Sequence, residues 1–215
     1  MTVLRTRIKV CGITGLDDAR SAVAAGADAL GFIFVEQSPR HSDPERVREI
    51  VRRLPPFVNA VGVFVDADPT HVEEIAHYCR LDLVQLHGSE SPDYCRNLSI
   101  GVVKAFRVGP GFSASHLVPY VEGVRAFLLD TYHPEMAGGT GKTFDWDLLR
   151  GIGAVSRPVI LAGGLKPENV VSAIERVRPY AVDVNSGVEW APGRKDAERI
   201  ERFVRLVREA DSRLS

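Results

Sequence analysis

The sequence predicts an α/β protein built as a single (β/α)8 barrel. Eight short apolar runs alternate with one-faced helical patterns from one end of the chain to the other. Most of these runs are continuously hydrophobic, as parallel strands require when helices cover one side and a packed interior fills the other. A chain of 215 residues also suffices for one large core and fits the short end of what an eightfold barrel needs. Eight βα units in that length suit a closed barrel better than an open doubly wound sheet. Residues 1–215 are therefore expected to form one domain, and no linker, low-complexity segment or charge run divides them.

In chain order the strands are expected at 8–11, 29–35, 58–65, 83–87, 102–106, 126–130, 158–162 and 181–184. Between them, apolar residues recur at helical spacing: Val47, Ile50, Val51 and Leu54, then Val72, Ile75, Ala76 and Cys79. The pattern returns at Val170, Ala173, Ile174 and Val177, and again at Ile200, Phe203, Val204 and Val207. Asp43-Pro44, Asp68-Pro69 and Ser91-Pro92 each place a capping side chain before a proline, which marks a helix start. Further helices are expected to begin near Leu16 and Pro167.

Composition narrows the class of function. Hydrophobic residues make up 45% and charged residues 26%, the balance of a folded globular chain. With 27 basic and 28 acidic side chains the net charge is −1, so no global field draws in nucleic acid or an anionic membrane. The first seven residues hold no apolar leader, and no run approaches a membrane span, so a cytoplasmic address is expected. Three widely spaced cysteines, Cys11, Cys79 and Cys95, make neither a disulfide framework nor a zinc site. No H-E-x-x-H or comparable cluster exists, so neither a metal nor another cofactor is expected.

Barrels of this kind carry their chemistry at the carboxyl ends of the strands and in the loops that follow. Those positions hold Cys11, Arg40, Asp66, His87, Arg107, Asp130, Gly163-Gly164 and Ser186-Gly187. A thiol, carboxylates, an imidazole and guanidinium groups form a set suited to acid/base work on an anionic substrate. Two glycine-bearing turns after the last two strands suit phosphate, because backbone N–H groups can approach one anion closely there. Cys11 follows Lys9 by two residues at the mouth of the first strand and is a candidate thiolate, whereas Cys79 and Cys95 are expected to be packed and inert. His41, His71, His77, His116 and His133 read as solvated or capping residues. The run 138–143 (GGTGKT) looks like the end of a nucleoside-triphosphate loop, but Met136 stands where that motif needs glycine. Residues 131–143 read better as a long loop over a pocket.

These residues, taken in order, resemble the phosphoribosylanthranilate isomerase family of tryptophan biosynthesis. The likeness is carried by 9–14 (KVCGIT), 31–34 (GFIF) with Ser38-Pro39-Arg40, and 62–65 (GVFV). It continues through 85–88 (QLHG), 128–130 (LLD), 138–146 (GGTGKTFDW), 161–165 (LAGGL) and 182–189 (VDVNSGVE), so it spans nearly the whole chain. It implies a TIM barrel that performs an Amadori rearrangement of a small sugar phosphate without a cofactor, as a monomer or homodimer. It also implies roles: Cys11 as general base, Asp130 as general acid, and Arg40 as the partner of the anthranilate carboxylate. Gly163, Gly164, Ser186 and Gly187 would hold the phosphate, and His87 and Asp183 would line the pocket. To act as an acid, Asp130 needs a raised pKa. Asn185 stands where the family usually has serine, and a local adjustment is expected. Two rivals remain at this point. One is another phosphate-binding barrel isomerase, epimerase or synthase; the other is a ligand-binding barrel without catalysis.

Overall fold

The computed structural model describes residues 5–109, 111–130 and 156–214. The strands are β1 (Arg7–Val10), β2 (Ala29–Ile33), β3 (Asn59–Phe64), β4 (Leu83–Leu86), β5 (Gly101–Arg107), β6 (Ala126–Asp130), β7 (Val159–Ala162) and β8 (Ala181–Val184). Each is parallel to its neighbours in sequence, and β1 pairs with β8 through Arg7↔Ala181 to Val10↔Val184, so the sheet closes. The expected barrel is the observed one.

Helix starts follow the caps. The Asp43 carboxylate accepts from Glu45 N at 2.8 Å before α2 (Pro44–Val51), and Asp68 accepts from Thr70 N at 2.9 Å before α3 (Pro69–Cys79). Ser91 Oγ accepts from Tyr94 N at 3.2 Å before α4 (Pro92–Asn97). The first helix, α1 (Leu16–Ala25), ends where Gly26 adopts a φ of 103°. The helix expected near Pro167 begins later, as α5 (Val170–Val177), because Asn169 Oδ1 turns back to accept from Lys166 N at 2.8 Å. After β5 the chain forms two 3-10 segments, Ala114–His116 and Val118–Gly123, in place of an α-helix. Gly109, Gly111, Pro119 and Gly123 break up this stretch, and Ser113 and His116 cap the first segment reciprocally. The chain closes with α6 (Ala197–Leu214), which packs beside α1 and α5. Among the described residues no helix is long and apolar enough to cross a membrane.

Strand alternation sorts the core into two layers. Ile8, Leu30, Phe32, Phe64, Phe127 and Val182 face outward and meet helix residues such as Phe203 and Ile174. Inside the barrel, Val103, Ala105, Ala126, Leu128 and Ala162 make a small apolar plug, with Ile33 and Val63 beside Cys11 above. One charge interrupts the outer layer. Lys104 lies between two inward residues of β5, and its Nζ meets Glu90 Oε2 at 3.0 Å, with both side chains nearly inaccessible. That ammonium also donates to Gly88 O at 2.9 Å, while Glu90 accepts from Asp66 N at 2.9 Å and Gly88 N at 3.0 Å. The pair therefore ties together the ends of β3, β4 and β5. Removing one partner strands the other charge, so Lys104→Met is expected to cost about 3–5 kcal/mol in urea denaturation. Lys104→Met/Glu90→Gln should recover most of that loss; a single variant as stable as the parent would refute the pinning role.

Candidate active site

Because side chains two apart on a strand share a face, each strand delivers one residue to the mouth of the barrel and another one layer below. Cys11, Val35, Val65, His87, Arg107, Asp130, Gly164 and Asn185 sit at the mouth and line a cleft of about 640 Å³. Ile33, Val63, Gln85, Ala162 and Asp183 form the layer beneath, and Ser38, Arg40, Gly163, Leu165 and Ser186 complete the walls. Thus Cys11, Arg40, His87, Asp130, Gly163, Gly164, Asp183 and Ser186 are brought together as the sequence suggests. Asp66 is not part of the cleft: its φ is 48° and its Oδ1 accepts from Ser89 N at 2.6 Å, so it braces the loop after β4.

Cys11 is 4% exposed, and its N–H donates to Val184 O at 2.8 Å. Burial pushes its thiol above the usual value; the Lys9 ammonium pulls it back, Asp183 adds to the rise, and Lys195 opposes it. The sulfur is thus pulled both ways, burial and Asp183 favouring the thiol, Lys9 and Lys195 the thiolate. Burial pushes Cys79 and Cys95 up to about 11 each, in keeping with packed, inert residues. Asp183 lines the cleft, yet its Oδ1 accepts from Lys9 Nζ at 3.0 Å deep in the barrel. Burial raises the Asp183 carboxyl, against the pull of Lys9.

Across the mouth, His87 Nε2 lies 3.3 Å from Asp130 Oδ2. Its Nδ1 lies 3.2 Å from Gln85 Nε2 on the residue two positions earlier. The imidazole is thus held between Gln85 on one side and Asp130 on the other. The other amide atom, Gln85 Oε1, is buried without a partner among the described residues.

Arg40 is already engaged. Its Nε donates to Glu189 Oε1 at 2.9 Å and its Nη2 to Glu189 Oε2 at 2.7 Å, a two-pronged contact. Glu189 belongs to β9 (Glu189–Ala191), which forms a small hairpin with β10 (Arg194–Lys195) that the sequence did not suggest. Lys195 Nζ donates to Glu189 Oε1 at 2.8 Å and to Asn185 Oδ1 at 3.0 Å. Burial alone raises the Glu189 carboxyl, but hydrogen bonds from Arg40 and Lys195 outweigh it and hold it below the usual range. Asn185 turns its side chain to Lys195, beside Gly12, where a Cβ would lie 2.6 Å from Asn185 Oδ1.

The two glycine turns lie together at one side of the cleft. Gly163 and Gly164 adopt φ values of 91° and 63°, and Gly164 O accepts from Asn169 Nδ2 at 3.0 Å. Ser186 opens a 3-10 turn, Ser186–Val188. Gly187 does not line the cleft; it is pressed against the neighbouring loop, where any Cβ would collide with Leu165 O. Its small size lets the turns after β7 and β8 touch. The run 131–143 and the motif residues 138–146 lie outside the described residues, as does His133.

Sequence reading singled out neither Gln85, Glu189 nor Lys195 as site residues, and named Lys9 only as a neighbour of Cys11. Two of these had a signal: Lys9 and Gln85 precede Cys11 and His87 by two positions on their strands. Glu189 and Lys195 had none, because their partner Arg40 is 149 residues away from Glu189 in the chain.

A closed parallel barrel with a thiol, a carboxyl and an imidazole over its mouth, and glycine turns after β7 and β8, defines an acid/base enzyme for a small phosphorylated substrate. Residues 8–206 match the family described as N-(5'-phosphoribosyl)anthranilate (PRA) isomerase. The chain is 54% identical over 202 residues to N-(5'-phosphoribosyl)anthranilate isomerase of Geobacter sulfurreducens, covering 94% of this chain and 98% of that one. It is also similar to the crystal structure of phosphoribosyl anthranilate isomerase from Thermotoga maritima, with 47% identity, a TM-score of 0.88, and 95% and 99% of the two chains covered. A further structure, at 43% identity and a TM-score of 0.85, covers 95% and 99% and is of such an isomerase with reduced 1-(o-carboxyphenylamino)-1-deoxyribulose 5-phosphate. This chain belongs to the phosphoribosylanthranilate isomerase family.

Gly187→Ala must push the two turns apart. A displacement of that kind is expected to lower kcat/KM about 10²-fold and to weaken inhibition by inorganic phosphate, with an unchanged circular dichroism spectrum. Parent-like kinetics would show that the contact of the turns does not matter.

Proposed function

We propose that Cys11 and Asp130 divide the acid/base work of the family's reaction, the Amadori rearrangement of N-(5'-phosphoribosyl)anthranilate to 1-(2-carboxyphenylamino)-1-deoxyribulose 5-phosphate. Their presence in one cleft that ends at the paired glycine turns is the observation that supports this reading most directly. Asp130 protonates the furanose ring oxygen, the C1–O bond breaks, and the nitrogen lone pair forms an iminium. The Cys11 thiolate then takes the C2 proton; the C–H electrons become a C1–C2 double bond, and the iminium electrons return to nitrogen. The resulting enolamine tautomerises to the ketone. Glycine turns 163–164 and 186–187 hold the phosphate, and the outer edge of the Arg40 guanidinium meets the anthranilate carboxylate while Glu189 fixes its plane. His87, aligned by Gln85, orients Asp130. Asp183 acts from below the cleft, through Lys9. The whole of 1–215 works as one catalytic domain in the cytoplasm, on a small molecule and not on nucleic acid.

Another barrel isomerase, epimerase or synthase would share the fold and the phosphate turns, but membership in the family separates this chain from that rival. A binding protein without turnover is tested by adding freshly prepared phosphoribosylanthranilate and following the loss of its fluorescence.

Cys11→Ser replaces a thiol by a hydroxyl too weakly acidic to serve as base near pH 7, and kcat should fall about 10²- to 10⁴-fold with substrate still bound. Asp130→Asn should lose a comparable amount. Full activity in either variant would end that assignment. Arg40→Ala is expected to raise KM more than it lowers kcat, since a carboxylate contact serves ground and transition states alike; an unchanged KM would count against it.

A further inference from the structure

Beneath Cys11 the barrel holds a charged pair that the scheme above leaves without a chemical step. Lys9 precedes Cys11 by two residues on β1, so both side chains point inward. The β1–β8 register sets Lys9 beside Asp183, and the two side chains are 6% and 8% exposed. Lys9 Nζ also comes close to the Cys11 sulfur, near enough for each to favour the charged form of the other. Gly31 on β2 leaves room for that contact: a Cβ there would lie 2.7 Å from Cys11 Sγ and 3.0 Å from Lys9 Nζ.

Packing alone does not call for this pair. Other inward residues of the barrel, such as Val63, Val103 and Leu128, are apolar. An apolar pair of similar volume would escape the desolvation that two buried charges suffer. The charges are thus accounted for by the reactive sulfur beside Lys9.

We propose that Lys9 is the positioning residue of the base: held by Asp183, its ammonium stabilises the thiolate form of Cys11 when that sulfur must take a proton. The inference rests on the reading of Cys11 as the base. A sulfur that is almost wholly buried has little water to stabilise its negative charge, so the nearest cation must do so. When Cys11 has taken the C2 proton and is neutral again, Lys9 remains paired with Asp183 and no buried charge is left unpaired. Among the described residues, the groups facing the sulfur are Lys9 from β1, Asp183 from β8, Lys195 from β10 and Arg40 from the segment after β2. His87 and Asp130 face Asp183 from the ends of β4 and β6. Lys9 exerts the largest electrostatic pull on the thiol, and Asp183 opposes it.

The two partners should therefore act in opposite directions, which a merely structural pair would not do. The experiment measures the alkylation rate of Cys11 by iodoacetamide against pH, with the modified site read by mass spectrometry, beside turnover of phosphoribosylanthranilate. Lys9→Met should raise the inflection by about 1–3 pH units, slow alkylation at pH 8 at least about tenfold, and lower kcat more than it raises KM. Lys9→Arg, which keeps the charge, should restore part of each. Asp183→Asn should lower the inflection and speed alkylation at pH 8. Lys9→Met/Asp183→Asn leaves no buried charge unpaired and guards against a single variant that fails to fold; its inflection should stay above that of the parent. An inflection unmoved by loss of Lys9, a double variant at or below the parent, or shifts of the same sign for Lys9→Met and Asp183→Asn would overturn the proposal. Full turnover by Cys11→Ser would instead overturn the reading of Cys11 as base, so the two failures are distinguishable.

Discussion

The pairing of β1 with β8 closes the barrel, and the site depends on its register. Lys9 meets Asp183 and Val10 meets Val184 across that seam, and the Cys11 N–H continues the ladder to Val184 O at 2.8 Å. A register shifted by one residue would turn Lys9 and Cys11 toward the helices and bring Val10 inside. Closure also joins groups 174 residues apart in the chain, Lys9 and Asp183, each of which would be a costly isolated charge without the other. The last helix secures the seam from outside: Thr6 donates to Asp211 from its N–H and its hydroxyl, at 2.9 and 2.6 Å, and Arg208 reaches Thr6 O at 2.6 Å.

Among the described residues three buried lysine–carboxylate pairs lie around the cleft, and each adds a side-chain link between neighbouring segments. Lys104–Glu90 holds the ends of β3, β4 and β5 together, Lys9–Asp183 bridges the seam, and Lys195–Glu189 joins the β9–β10 hairpin to Arg40. Ion pairs of this kind add little net stability when their desolvation is counted. Their directional hydrogen bonds serve a different end, since they fix atoms whose positions matter to within a fraction of an ångström in a catalytic site.

A net charge of −1 is compatible with a substrate that carries both a phosphate and a carboxylate, because attraction can be local. Arg40 and Arg107 line the cleft, and backbone N–H groups in turns such as those after β7 and β8 are a kind of anion site that adds no net charge. Glu189 offsets part of the Arg40 charge, but it takes only the Nε and Nη2 side of the guanidinium. What it removes in charge it returns in orientation, since two hydrogen bonds hold the guanidinium plane in place.

The sequence by itself determined the eight strands, the three Asp/Ser-Pro helix starts and the residues at the strand ends, because all of these are local. Period-two burial, capping geometry and glycine's freedom are written within a few residues of each other. Where local signals conflict, as after β5 and around Asn169, the elements shifted: a proline and several glycines, or one side chain folding back, decided the outcome. Partnerships were another matter. That Arg40 is clamped by Glu189, that Asp183 answers to Lys9 and not to the cleft alone, and that Gly187 serves the contact with Leu165 O are decided only when the barrel closes. The protonation of Cys11 belongs with these, since a thiol's charge depends on how much water and how many ammonium groups surround it. Those neighbours come from β1, β8 and the β9–β10 hairpin, and no stretch of sequence holds them together.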